Sequence, residues 1–372
     1  MKIQTNFDGG FFIMTLKIGI IGCGGIANGK HMPALKQVKE AEMVAFCDID
    51  IERAEKAKAD YGTSESKVYA DYQELLKDSS IDVIHVCTPN NSHAEITIAG
   101  LHADKHVMCE KPMAKTSEEA RAMLEAAKET GKKLTIGYQN RFRTDSTYLH
   151  EICEAGELGD IYVGKAHAIR RRAVPTWGVF LDEEAQGGGP LIDIGTHALD
   201  LTLWMMNNYK PKYVVGNAYH KLSSTKNAAN AWGPWDPEKF TVEDSAFGFI
   251  TMENGASIIL ESSWAINSLE VDEAKTSLSG TKAGADMKNG LTINGEDRGL
   301  LYEKKIELET GGVAFYDGTG SDPAVIEAQS WMNAIINDTD PVVKPEEALV
   351  VTEILEAIYE SSRLGEPVFL NK

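Results

Sequence analysis

The chain lacks what marks a secreted, membrane-spanning or nucleic-acid-binding protein. It has five cysteines, an odd number, and no C-x-x-C pair. No disulfide framework is indicated. Besides Cys23 and Cys153 there are Cys47, Cys87 and Cys109, which fall inside apolar strand-like runs and read as small buried hydrophobes in a reducing compartment. No apolar run reaches the length of a membrane span. Phe11–Met14 is too short for a signal-peptide core, and no small-residue cleavage site follows it. A cytoplasmic location is therefore expected. Positive charge is scarce: 37 Lys and Arg face 56 Asp and Glu, for a net charge of −19. That balance argues against nucleic acid and anionic membrane as partners, and leaves a small neutral substrate open. No internal repeat or low-complexity segment is evident.

What remains is an ordinary globular composition, 43% hydrophobic over 372 residues, a length that suits two domains better than one. Residues 1–15 are set apart as an N-terminal extension, 16–140 as a first domain and 141–372 as a second.

The first domain opens on Leu16–Ala27, LKIGIIGCGGIA. Leu16, Ile18, Ile20 and Ile21 form a short apolar run typical of a buried parallel strand. A glycine turn and a helical pattern follow, spaced G-x-G-x-x-A, with Gly22, Gly24 and Ala27 at the fingerprint positions. Gly22 allows the sharp turn. Gly24 lets a pyrophosphate approach the backbone. Ala27 lets helix and strand pack closely. The helix start offers N–H groups and the positive dipole end to phosphates. A second apolar run, Met43–Cys47, ends at Asp48, 24 residues after Gly24. An acid there accepts from ribose hydroxyls and repels a 2′-phosphate, which favours NAD over NADP. The plain alternative is an α/β turn followed by a solvated Asp.

Strand and helix patterns then alternate. Helices are expected over Ile51–Tyr61, Tyr72–Lys77, Ile96–Leu101 and from a cap at Ser117 to Thr130. Strands are expected near Val68–Tyr69, Val83–Cys87, Val107–Cys109 and Leu134–Gly137. Repeated β-α-β units imply a parallel sheet with ligands at the strands' carboxyl ends. Beyond Asn140 the pattern changes. Helices are expected at Asp145–Ala155 and Leu191–Met206. Strand patterns cover Ile161–Arg170, Tyr213–Tyr219, Ser245–Met252, Ala256–Trp264 and Glu273–Ser279, with a hairpin turn at Glu253-Asn254-Gly255. Helices close the chain at Ala324–Ile336 and Glu346–Ser361. The fold class is α/β, a parallel dinucleotide-binding sheet plus an α+β domain on an open, mostly antiparallel sheet. The segment Leu222–Phe240, with Trp232, Pro234, Trp235 and Pro237, reads as a long ordered loop or lid, or simply a surface excursion.

Several residues could carry chemistry. Lys111, in Glu110-Lys111-Pro112 at a strand end, could hydrogen-bond a substrate hydroxyl and assist proton removal; a surface lysine in a strand–helix loop is the alternative. Asp193 and His197 stand four residues apart after Gly187-Gly188-Gly189, on one helix face. An imidazole beside a carboxylate can accept an alcohol proton. A cap or a buried hydrogen-bond acceptor at Asp193, with a packed histidine, is also open, as is a pair of metal ligands, with Asp200 a conceivable third. No clear third ligand is seen, so no metal is expected. In the stretch ending Gln139-Asn140-Arg141-Phe142-Arg143, the polar side chains of Asn140, Arg141 and Arg143 could bind substrate oxygens; the arginines could instead pair with acids. Arg170-Arg171-Arg172 reads as a solvated or interface charge run. Trp177 could stack on a sugar or on nicotinamide, or simply pack.

Taken together, GIIGCGGIA, CDIDIERA, CTPNNSHAE, CEKPMA, GYQNRF and GGGPLIDIGTHALD resemble the Gfo/Idh/MocA oxidoreductase family, in family order from Leu16 to Asp200. The resemblance implies a Rossmann domain, a C-terminal domain whose open sheet forms a homo-oligomer interface, and NAD(P)-dependent oxidation of a secondary alcohol on a sugar, glycoside or cyclitol. It carries over Lys111, Asp193 and His197 as the catalytic group: His197 as general base, Lys111 orienting and acidifying the hydroxyl, Asp193 positioning substrate and His197. Cofactor contacts carried over are Gly22, Gly24, Gly25, Ile26, Asp48, Arg53, Thr88, Asn90, His93, Glu110, Lys111 and Gln139, with Trp177 added. The second half is similar to members that oxidise glycoside rings, often at C3, C-glycosides included. The Trp/Pro-rich loop would clamp the ring and its aglycone. An inositol dehydrogenase is the alternative within the family. A glycoside-cleaving enzyme using bound NAD, and a cofactor-binding regulatory protein without turnover, are the others; the last would not keep both lysine and histidine.

Overall fold

The computed structural model describes residues 14–308 and 322–370, so most of the N-terminal extension lies outside the described residues. The chain forms two compact units. The first holds the described residues up to Ala114, Glu118–Gln139 and 322–346; the second holds Lys115–Ser117, 140–308 and 347–370.

The first unit is built on six strands: β1 (Leu16–Ile21), β2 (Ala41–Cys47), β3 (Lys67–Tyr69), β4 (Val83–Val86), β5 (His106–Cys109) and β6 (Leu134–Ile136). They pair in parallel in the order β3-β2-β1-β4-β5-β6. The order reverses direction beside β1, the place where such sheets bind ligands. The helices Ile51–Tyr61 and Ser117–Thr130 form as expected; Ser117 is the first helical residue rather than a preceding cap. The side chain of Asp50 accepts from Glu52 N at 3.2 Å and so caps the Ile51–Tyr61 helix.

A division at residue 140 misses one return of the chain. The helix Pro323–Ile336, placed with the second domain by the sequence, belongs to the first unit. Its Ala328, Trp331, Met332 and Ala334 share a core with Leu16, Ile18, Leu35, Met43 and Met108. An amphipathic pattern shows that a helix must cover a core, not which one.

The second unit carries a nine-stranded sheet: β7 (Ile161–Ile169), β8 (Pro211–Tyr219), β9 (Ser245–Met252), β10 (Ser257–Ser263), β11 (Asp272–Gly280), β12 (Ala283–Asp286), β13 (Thr292–Asp297), β14 (Leu300–Lys305) and β15 (Val368–Phe369). The order is β14-β13-β12-β11-β7-β10-β9-β8-β15. Every pairing is antiparallel except β7 with β10. The hairpin at 253–255 joins β9 to β10. The strands β12 to β15 give little signal: β14 is exposed along its whole length and β15 has two residues.

Two helices cover one face. Thr196–Met206 follows a π-helical turn, Leu191–Gly195, and its Thr202 hydroxyl donates to Thr276 Oγ1 on β11 at 2.9 Å. From the helix Pro345–Leu364, Ser361 and Ser362 accept from Gly216 N and Ala218 N on β8 at 3.1 and 3.0 Å. On the other face Val215, Phe249 and Ile259 stand opposite one another in register and are 38%, 43% and 39% exposed. Their chain neighbours Val214, Ile250 and Ile258 are fully buried. No helix among the described residues is long and apolar enough to cross a membrane.

Candidate active site

In the first unit, the strand ends beside the point of reversal carry the expected residues. Gly22 has φ +89°, and an added Cβ would lie 2.7 Å from Cys87 O, so no other residue fits. At Gly24 and Gly25 an added Cβ meets nothing within 4 Å. The backbone there is open to an approaching group, and the π-helical turn Ala27–His31 starts directly behind it. That is the cradle a dinucleotide pyrophosphate requires, so the residues fit the cofactor. Ile26 beside it is 40% exposed.

Asp48 does more than end β2. Its Oδ2 accepts from Cys23 N at 2.8 Å and its Oδ1 from Asp50 N at 2.9 Å. The carboxylate thus fixes the glycine turn against the second strand, with oxygen lone pairs left for a ribose. Arg53 reaches the exposed Asp50 at 3.2 Å. Burial, with Asp48 close by, pushes the Cys23 and Cys47 thiols up to about 12, so they are not nucleophiles here.

After β4, Thr88 Oγ1 accepts from the Ser92 hydroxyl at 2.8 Å, and Asn90 is half-buried. His93, expected as a cofactor contact, is 1% exposed. Its ring nitrogens lie 2.8 Å from Pro112 O and 3.0 Å from Thr88 O. It ties the loop after β4 to the loop after β5. Burial, against these two carbonyls, lowers its basicity.

Lys111 is half-buried after β5, and its backbone N–H donates to Glu110 Oε2 at 3.1 Å. Glu110, also expected as a cofactor contact, is interior instead. Its Oε1 meets Lys30 Nζ at 2.8 Å and His31 Nε2 at 2.7 Å. Lys30 also meets Glu327 at 2.9 Å, and His31 Nδ1 lies 3.0 Å from His85 Nδ1. Burial alone would raise the Glu110 carboxyl; Lys30 and His31 outweigh it and hold it well below the usual range. Glu327, with less compensation, is raised by burial. Gln139 is half-buried just after β6.

In the second unit, Asp193 lies in the π-helical turn Leu191–Gly195 and His197 in the helix Thr196–Met206. Of residues 191–200 all are buried except these two. The turn before them is held by Glu243, 2% exposed, whose carboxylate accepts from Gly189 N at 2.8 Å, Leu191 N at 3.0 Å and the Tyr359 hydroxyl at 2.9 Å. An added Cβ on Gly189 would lie within 3.0 Å of Val242 and closer still to Glu243 O, which accounts for glycine there. Burial raises the Glu243 carboxyl, against these three donors.

Asp193 Oδ2 accepts from Trp264 Nε1 at 3.1 Å and lies 4.0 Å from Arg170. Arg170 is paired with Glu273 through two contacts of 2.6 and 2.5 Å. Its guanidinium stands 5.6 Å from the Trp232 ring, and Trp232 meets Trp177. Sequence reasoning missed Arg170, Trp264, Glu273, Glu243 and Tyr359. Arg170 looked like part of a solvated run, and nothing local marks the others, which act through contacts 52 to 116 residues away in the chain.

The other expected substrate contacts divide. Asn140 is half-buried. Arg141 is fully buried, bidentate to Asp200 at 2.6 and 3.0 Å, bound to Glu347 at 2.6 Å and 5.3 Å from the Trp204 ring. It is a core ion-pair residue and has no surface for a substrate. It also occupies Asp200, the conceivable third metal ligand. Arg143 holds Asp145 at 2.6 and 2.9 Å and Ala274 O at 2.9 Å.

Residues 16–138 match the model of the oxidoreductase family with an NAD-binding Rossmann fold, and residues 147–286 match the Gfo/Idh/MocA C-terminal domain. The chain belongs to the Gfo/Idh/MocA oxidoreductase family. It is 34% identical to D-glucoside 3-dehydrogenase of Escherichia coli K12 over 95% of this chain and 97% of that protein. It is 32% identical to inositol 2-dehydrogenase of Salmonella typhimurium LT2 over 53% of this chain and 56% of that protein. A levoglucosan dehydrogenase solved with NADH and levoglucosan has the same fold, with a TM-score of 0.80 over 96% of this chain and all of that one at 21% identity.

Proposed function

We propose that this oxidoreductase uses NAD to oxidise a secondary hydroxyl on the ring of a glycoside, with C3 of a glucoside, C-glucosides included, as the reacting position. The observation that carries the reading is the helix over 191–200, buried except for Asp193 and His197. The likeness to D-glucoside 3-dehydrogenase along nearly the whole chain supports the substrate class.

The cofactor would be held by Gly22, Gly24, Gly25, Ile26, Asp48, Thr88, Asn90 and Gln139. The Asp48 carboxylate selects NAD by disfavouring a 2′-phosphate. Bound NAD supplies the two-electron acceptor for the hydride that leaves the carbinol carbon. His197 takes the hydroxyl proton as general base, so the alcohol leaves as a ketone. Lys111 donates to the same hydroxyl oxygen and stabilises the charge that develops on it. Asp193, fixed by Trp264, orients His197 and a neighbouring sugar hydroxyl. Glu110 and His93 act one step back, setting the loop that carries Lys111.

The exposed row Val215, Phe249 and Ile259 supports a homo-oligomer formed through the second sheet, since a monomer gains nothing by leaving it in water. The five cysteines are free, four of them buried, which supports a reducing, cytoplasmic setting.

The test is reduced-nicotinamide absorbance from purified protein, NAD and a panel of glucose, O- and C-glucosides and inositols. Turnover of glucosides, with a 3-keto product, is expected. Turnover of inositols alone would replace the reading with a cyclitol dehydrogenase. Release of free aglycone would make it a NAD-assisted cleavage enzyme. Silence with no NAD or NADH released on denaturation would remove the enzymatic reading.

A further inference from the structure

The second unit carries an aromatic surface that the proposed chemistry does not use. Trp177 and Trp232 come from different loops and meet edge to face, with ring centroids 4.9 Å apart at 80°. They are 52% and 46% exposed. The pair is joined by direct contacts to the candidate site. Trp177 packs on Phe180, Phe180 on the fully buried Trp264, and Trp264 donates to Asp193. From the other side Arg170 bridges the Trp232 ring and the Asp193 carboxylate.

The two loops are stitched together. Asn230 exchanges both amide bonds with Val174, accepting at 2.8 Å and donating at 2.9 Å, and donates to Gly233 O at 2.8 Å. The Thr176 hydroxyl donates to Trp232 O at 3.0 Å, and Ala231 N to Arg172 O at 3.0 Å. The indoles are therefore preorganised, and a ligand that covers them has little ordering entropy to overcome. Arg170 is already neutralised by Glu273, so the surface selects shape and apolarity rather than charge. A free monosaccharide has one ring, which the oxidation engages. A second flat face is present only when a group is joined at the anomeric carbon.

We propose that Trp177 and Trp232 form an aglycone platform, which binds a flat aromatic group on the anomeric carbon of a glycoside, and that Trp232 sets a preference for aryl over alkyl glucosides. The proposal rests on Asp193 and His197 being the centre of sugar oxidation. Aromatic stacking of this kind raises affinity about two- to tenfold.

The test is calorimetric titration of the NAD-loaded protein with phenyl and methyl β-glucoside, for the wild type, Trp232→Ala and Trp232→Phe. The wild type binds the phenyl glucoside about tenfold more tightly. Trp232→Ala removes most of that ratio, and Trp232→Phe, which keeps a ring and a folded loop, retains part of it. Equal affinities in the wild type, an unchanged ratio in both variants, or no binding of either glucoside would overturn the platform. A β-linked disaccharide that binds more tightly than the phenyl glucoside would overturn the aromatic occupant. Measuring NADH from the same two glucosides separates the two ideas: binding with the ratio intact but no turnover refutes the oxidation and leaves the platform standing.

Discussion

The indole of Trp264 donates from Nε1 to Asp193 Oδ2 at 3.1 Å, from the end of β10 to the helical turn before His197. The ring is fully buried, so it has no freedom to offer that proton elsewhere. Trp264→Phe keeps the ring and deletes the donor. A lost hydrogen bond is worth about 1 kcal/mol net, so kcat on the preferred glucoside should fall about fivefold to tenfold. Calorimetric affinity for NAD should stay unchanged. A kcat equal to wild type would show that this contact is only structural.

Lys111→Ala tests the other catalytic assignment. Turnover should drop at least about a hundredfold, the usual scale for a proton-handling group. NAD affinity should hold within about threefold, because the glycine turn and Asp48 are untouched. Full activity in this variant would remove Lys111 from the mechanism.

The buried Glu110 gives a pH prediction. Its carboxyl is held well below the usual range in the folded protein. A depressed acid contributes stability that is fully present above the unfolded value of about 4.3 and is lost as pH falls through and below it. Glu110→Gln should cost about 3 kcal/mol at pH 7, by leaving Lys30 and His31 short of their anion. Its denaturant-unfolding stability should then decline less than the wild type's between about pH 5 and pH 3. Parallel curves for the two proteins would contradict the assignment.

The apolar row on the second sheet makes a prediction about assembly. Phe249 is 43% exposed, between Val215 and Ile259. Phe249→Glu should convert an oligomer to a monomer by light scattering, with little change in thermal stability of the monomer, because the residue already faces water. A wild-type protein that is monomeric at assay concentration would refute the interface.

Local chemistry left its mark in the sequence wherever one short stretch does a complete job. The glycine turn at Gly22, the strand–helix alternation and the hairpin at 253–255 are all of this kind. Each rests on a backbone conformation or a periodicity contained within a few residues. Which loops meet is different information. Arg141 looked available to a substrate until Asp200 and Glu347 enclosed it. Glu110 and His93 looked like ligand contacts until Lys30, His31, Thr88 and Pro112 claimed their polar atoms. Arg170 looked solvated until Glu273 and Trp232 stood beside it.

The sequence by itself determined the two kinds of sheet and the nucleotide-binding turn, because those follow from spacing along the chain. Only the tertiary structure decided which charged side chains are occupied in the interior and which aromatics remain exposed. A buried charge must find its partner wherever the fold brings one, here 59 residues away for Arg141 and Asp200 and 206 for Arg141 and Glu347, and no local pattern records a contact made at that distance.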